Sequence, residues 1–187
     1  MKTVLVNCSP KKRFSASAYL AALQSFFLKG KKVTKNLRSR KDYTPVFEQL
    51  KDADSLVLCL PLYADGPPSH VSAFLEEAEL FFLKNNLHPN LYCIANNGFI
   101  EGRQNEALMQ VMENFCHRAG INWCGGVGIG GGVMLNITRI VFVIQTAIFF
   151  IQYIIGIIQT GLFLNTGLLY AFLQNAGLLL FFNSGVL

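Results

Sequence analysis

Residues 3–20 read TVLVNCSPKKRFSASAYL. The opening TVLVN is a β-branched and apolar run without polar alternation, the pattern of a strand buried on both faces. Past Ser15 the spacing becomes helical, with Leu20, Leu23 and Phe27 on one stripe and Gly30 closing it. Between the two lie Ser9, Lys11, Lys12, Arg13, Ser15 and Ser17, a cluster of hydroxyls and cations at a strand-to-helix corner. A helix start offers unpaired backbone N–H groups and the positive end of the helix dipole, so this corner suits a phosphate. Taken alone, an N-capped helix behind a solvated basic turn explains it equally well.

The same strand-then-helix grammar continues to about residue 135. KKVTKNL (31–37) is a weaker strand, and TPVFEQLKDA (44–53) a short helix with Thr44 as cap and Pro45 in its first turn. DSLVLCLPLY (54–63) is a continuous apolar strand, followed by a helix in PPSHVSAFLEEAELFFLKN (67–85). NLYCIANNGF (90–99) is a fourth strand, RQNEALMQVMENFCHRAG (103–120) a helix ending at Gly120, and INWCGGVGIG (121–130) a fifth strand. Non-alternating strands separated by helices predict an α/β fold: a doubly wound parallel sheet of five strands with right-handed crossovers.

In such a sheet ligands gather at the carboxyl ends of the strands. Two further loops fall at the edge where the Ser9–Ser17 corner lies. PLYADGPP (61–68) ends the third strand with an aromatic residue and a glycine, and NNGFIEGRQN (96–105) ends the fourth with amides, Gly98 and Phe99. Phosphate donors at one loop, with apolar and amide groups at two others, suit a phosphorylated flat heterocycle.

With CSPKKRFSAS, LPLYADGPPSHVSAFLEEAE and NNGFIEGRQNEALMQVMENFCHRAGINWCGG in these places, residues 1–135 resemble the flavodoxin-like NAD(P)H-dependent FMN reductases and quinone reductases. The resemblance implies strand order 2-1-3-4-5 and FMN as cofactor, with Ser9, Lys11, Ser15 and Ser17 at its phosphate. It implies Pro61, Leu62, Tyr63 and Ala64 along the isoalloxazine, and Asn97, Gly98 and Phe99 at the ring's other edge. Cys8 stands where the family often has glycine. The activity implied is hydride transfer from NAD(P)H through the flavin to a quinone or other small acceptor. No catalytic side chain is required, because the flavin N5 carries the chemistry. One-electron carriers on this fold are, by the same resemblance, strongly acidic, whereas this chain carries a net charge of +5. The carrier, and a non-enzymatic membrane-attached binding module, are therefore the alternatives to the reductase.

Other patterns carry less. GVGIGGG (126–132) contains GxGxxG, but a dinucleotide fingerprint follows a first strand and needs an acid about twenty residues on, and no acid follows Glu113. Its glycines read as places of close backbone approach. Cys116 and His117 are helical neighbours and point apart. Five cysteines without a CxxC pair suit reduced thiols in the cytoplasm, and no cysteine–histidine spacing suggests a metal. Seven cations and no acid between Lys29 and Lys41, without aromatic residues among them, read as a solvated edge strand rather than a nucleic-acid groove.

The charge distribution sets residues 136–187 apart as a hydrophobic helical tail. No charged residue follows Arg139. Segments 140–158 and 161–182 would form helices of about 28 and 33 Å, against a bilayer core of about 30 Å. Three readings stay open: a membrane hairpin through 140–182 holding the domain at the cytoplasmic face, burial against the sheet or in a homodimer, and an altered reading frame.

Overall fold

The computed structural model describes residues 1–13 and 15–160, and part of the side chains of the last helix. Met1–Val133 form one compact unit, and a second begins at Met134. In the first unit a parallel sheet is built from β1 (Lys2–Asn7), β2 (Lys31–Asn36), β3 (Ser55–Pro61), β4 (Asn90–Asn96) and β5 (Asn122–Ile129). Its order is β2-β1-β3-β4-β5, as expected from the sequence. Helices α1 (Ala16–Phe27), α2 (Tyr43–Leu50), α3 (Ser69–Asn85) and α4 (Glu106–Ala119) connect the strands.

The sequence of each strand fits its place. Every residue of β1 and β3 is buried, so these unbroken apolar runs occupy the middle of the sheet. β2 is an edge, and its pattern of exposed lysines keeps another chain from pairing with it. One sheet face packs Val4, Val6, Leu58 and Leu91 against the helices α2, α3 and α4, through Val46, Phe74, Phe82, Met112 and Phe115. Phe47 stacks between Phe74 at 5.2 Å and Phe81 at 4.6 Å, tying α2 to α3. The opposite face packs Leu5, Val57 and Cys59 against Ala21 of α1. Beside α1 that face holds an open cleft of about 540 Å³, lined by Thr3, Gln24, Leu28, Val57, Tyr92 and Ile94 among others.

One expectation about local structure needs correction, and another, the close backbone approach at the glycines of 126–132, holds. Thr44 is not the cap of α2; it lies inside the helix, which a 3-10 turn over Arg40–Asp42 extends backwards. The glycine-rich end of β5 is a device for close packing. A Cβ on Gly126 would sit 2.8 Å from the Cys93 carbonyl oxygen, and one on Gly128 2.6 Å from that of Gly102. One extra β5 residue bulges between the Leu91–Trp123 and Cys93–Gly126 pairs, where Gly125 has φ of 92°.

α5 runs Gly132–Thr160, and from Met134 on it belongs to the second unit. Its described large side chains, from Met134 to Ile155, are exposed. Among the described residues no helix is long and apolar enough to cross a membrane. The membrane-hairpin expectation finds no support there, and its second arm, 161–182, lies outside the described residues.

Candidate functional site

The carboxyl ends of β1, β3 and β4, neighbours in the sheet, bring three loops to one edge. The first is the corner after β1. Ser15 caps α1 in extended conformation, its Oγ accepting from the Ala18 amide at 3.2 Å. Ser9 Oγ accepts from the Lys11 amide at 3.3 Å. Both hydroxyls act as acceptors in these bonds, and each keeps a proton to give. Ser17 differs: it is buried and gives its proton to Asn96 Oδ1 at 2.7 Å, so the expected phosphate donor is engaged within the protein. The first-turn amides of Ala16 and Ser17 have no acceptor inside the helix. Lys11, Lys12 and Arg13 are exposed around the corner. Eleven cations and no acid precede Asp42, and Lys11, Lys12 and Arg13 among them lie at this corner.

In the second loop Pro61 and Leu62 are buried, Pro61 as the last residue of β3. Tyr63 and Gly66 exchange backbone hydrogen bonds at 2.9 and 3.0 Å around Ala64 and Asp65, whose φ values are 46° and 61°. Two central residues at positive φ make a tight hairpin-type turn. It leaves Tyr63 and Ala64 exposed. An alanine held there is strained, a feature that collects at ligand-facing loops.

The third loop begins with two buried asparagines. Asn97 donates from Nδ2 to the Glu101 carbonyl at 2.9 Å, while its Oδ1 is buried without a partner among the described residues. Gly98 and Phe99 follow, both exposed. The chain closes back on this loop: the Gly132 amide donates to the Asn97 carbonyl at 2.6 Å, and Gly130 passes so near Ile100 that a Cβ there would lie 1.9 Å from its oxygen.

Asn96, which the sequence reading passed over, joins the three. Its Oδ1 takes the Ser17 proton, and its carbonyl accepts from the Leu62 amide at 2.8 Å. Asn7 works similarly at the first corner, accepting from the Ser9 amide at 3.2 Å and donating to Asn36 Oδ1 at 2.8 Å. Only the doubled asparagine of "NNGF" hinted at such a role. Cys8, Cys59 and Cys93 are buried, and burial pushes all three thiols up, Cys59 to about 12. None can supply a thiolate near neutral pH.

Hydroxyl protons, helix-start amides and cations at one loop suit a phosphate dianion. Tyr63 and Phe99 offer flat exposed rings at the other two. These residues fit a flavin mononucleotide.

No family model matches the chain, and no curated protein matches it. Solved structures do. The NADPH-quinone reductase from P. pentosaceus superposes with a TM-score of 0.55 at 14% identity, covering 70% of this chain and 86% of that one. The NAD(P)H:quinone oxidoreductase from Methanothermobacter marburgensis gives 0.53 at 15%, covering 70% and 84%. A flavodoxin, WrbA-like protein from Agrobacterium tumefaciens gives 0.51 at 16%, covering 65% and 75%. With the strand order and the three loops at one edge, these likenesses show that the chain has the flavodoxin-like fold.

Proposed function

We propose that the first unit is an FMN-dependent oxidoreductase that passes hydride from NAD(P)H to a quinone or other small acceptor. One observation carries the reading. The three strand-end loops meet through Asn96, with hydroxyls, helix-start amides and cations at one loop and flat exposed side chains at the other two. The named activities of the superposed reductases agree with it.

The bound flavin supplies the redox chemistry by accepting and giving hydride at its N5. The chain's own residues bind and orient. Ser9, Ser15 and the amides of Ala16 and Ser17 hold the phosphate, and Lys11 to Arg13 draw the anion in. Tyr63, Ala64, Gly98 and Phe99 border the ring, where Gly98 presents no side chain to an approaching substrate. Asn97 shapes the third loop from behind, its Nδ2 donating to the Glu101 carbonyl at 2.9 Å.

Purified full-length protein is expected to carry FMN, identified by its visible spectrum and by the mass of the released cofactor. NADH or NADPH should bleach it anaerobically, and a quinone should restore the colour. Protein that binds FMN but is bleached by neither nucleotide would remove the reductase reading and leave the binding module. Protein with no affinity for FMN would remove both.

A further inference from the structure

We propose that His70 is a positioning residue for the phosphate corner, fixing the peptide from which the Ser9–Ser15 loop departs. The inference rests on the FMN reading. His70 Nε2 lies 3.0 Å from the Cys8 carbonyl oxygen, across 62 residues of sequence. A carbonyl only accepts, so Nε2 carries the hydrogen and donates.

The Cys8–Ser9 peptide is thereby held at both ends by side chains. His70 binds its carbonyl, and Asn7 Oδ1 takes its N–H at 3.2 Å. The preceding amide, that of Cys8, is bonded to the Cys59 carbonyl of β3 at 2.8 Å. No other rotation of this peptide keeps both bonds. Its orientation decides where Ser9 and the following amides point, which is the geometry that a phosphate needs before it arrives.

His70 is itself fixed. It lies in the first turn of α3, directly after the loop that carries Tyr63, and its carbonyl accepts from the Tyr43 hydroxyl at 3.0 Å. Tyr43 is buried edge-on against Phe74 at 5.2 Å. A line of contacts therefore runs from the α2–α3 core to the phosphate corner. His70 touches no ligand in this scheme; it acts through the Cys8–Ser9 peptide. Removing its donor leaves a carbonyl beside fully buried Cys8 without that partner, and the peptide turns to find another.

The test compares FMN with riboflavin, which lacks the phosphate, by fluorescence titration of the full-length protein. His70→Phe keeps a ring of similar size and removes the donor. It should weaken FMN about five- to tenfold, the worth of one net hydrogen bond, and leave riboflavin within about twofold. His70→Gln, whose amide nitrogen can occupy the place of Nε2, should restore most of the FMN affinity. If H70F does not fold, His70→Asn, too short to reach the carbonyl, should show the same lowered FMN-to-riboflavin ratio.

Equal losses for both ligands would overturn the proposal, since a general structural role predicts them. So would H70Q binding as weakly as H70F, or H70F binding FMN like the wild type. Wild-type protein that holds riboflavin as tightly as FMN would overturn the phosphate corner and His70's role together while leaving flavin binding standing. Wild-type protein that binds neither would instead overturn the FMN reading.

Discussion

Asn96 and Ser17 illustrate what single residues do at this site. They are 79 positions apart, both buried, and share one hydrogen bond of 2.7 Å. Through it the start of α1 is fixed to the end of β4, so the corner after β1 and the loop after β4 keep one relative geometry. Either Ser17→Ala or Asn96→Ala should lower unfolding free energy by roughly 1–3 kcal/mol, because each strands a buried polar partner. The double variant should lose clearly less than the two singles combined, since both remove the same bond. Urea unfolding of the four proteins measures this, and strictly additive losses would show that the bond contributes nothing of its own. This residue scale is where the sequence was least legible. Ser9, Lys11, Ser15 and Tyr63 could be picked out because local rules about helix starts and strand ends apply to them. Asn96 and His70 could not: each acquires its role from a partner more than sixty residues away, and neither sits in a distinctive local pattern.

At the scale of elements the reading was far better, for a physical reason. Parallel strands buried on both faces must be apolar throughout, and amphipathic helices must fill the gaps, so β1 and β3 follow from composition, while the strand order was what the family resemblance implied. Boundaries were harder, and the start of α2 shows why. Thr44 and Pro45 looked like a helix start, yet Asp42 organises the turn: its Oδ2 accepts from the amides of Arg38 and Ser39, both at 2.9 Å. Partial burial alone would raise its carboxyl pKa. The two amides, the Ser39 hydroxyl and the Arg38 charge outweigh that and hold it below the ordinary 3.8. A carboxyl depressed by folding contributes stability above its unfolded pKa and loses it as pH falls through the folded value. Asp42→Ala should therefore cost about 1 kcal/mol at neutral pH, typical of a lost cap. The gap to wild type should narrow as pH falls below the unfolded value of about 3.9 and on through the lower folded one. Denaturant unfolding at neutral and at acidic pH decides it, and a gap that stays constant would mean that the charge on Asp42 plays no part.

For the whole molecule, the question is what a helix with no charge beyond Arg139 does in a basic protein. A soluble helix usually shows water a polar face, whereas α5 exposes Ile137, Ile140, Val141, Ile144, Ile148, Ile151 and Ile155, each at least 46% accessible. Apart from the adjacent Ile140 and Val141 these positions recur at intervals of three and four, a continuous apolar stripe along a 29-residue helix. Fully burying one such side chain is worth roughly 1.5–3 kcal/mol, so a stripe of this length strongly favours any arrangement that removes it from water. A second copy presents the same stripe and supplies that cover without charged groups to desolvate. We therefore expect the full-length protein to self-associate in detergent-free buffer, its average mass rising with concentration in light scattering or sedimentation. Lysines placed in the middle of the stripe, as Ile144→Lys with Ile151→Lys, should shift the population toward monomer, because association would then bury like charges against each other. The variant should keep its flavin affinity, since neither position belongs to the three loops. Flotation with lipid vesicles is the companion measurement. Wild-type protein that floats, and a lysine variant that does not, would give the stripe to lipid instead of to another copy. A wild type that stays monomeric at every concentration and ignores vesicles would show that the stripe needs no partner outside its own chain.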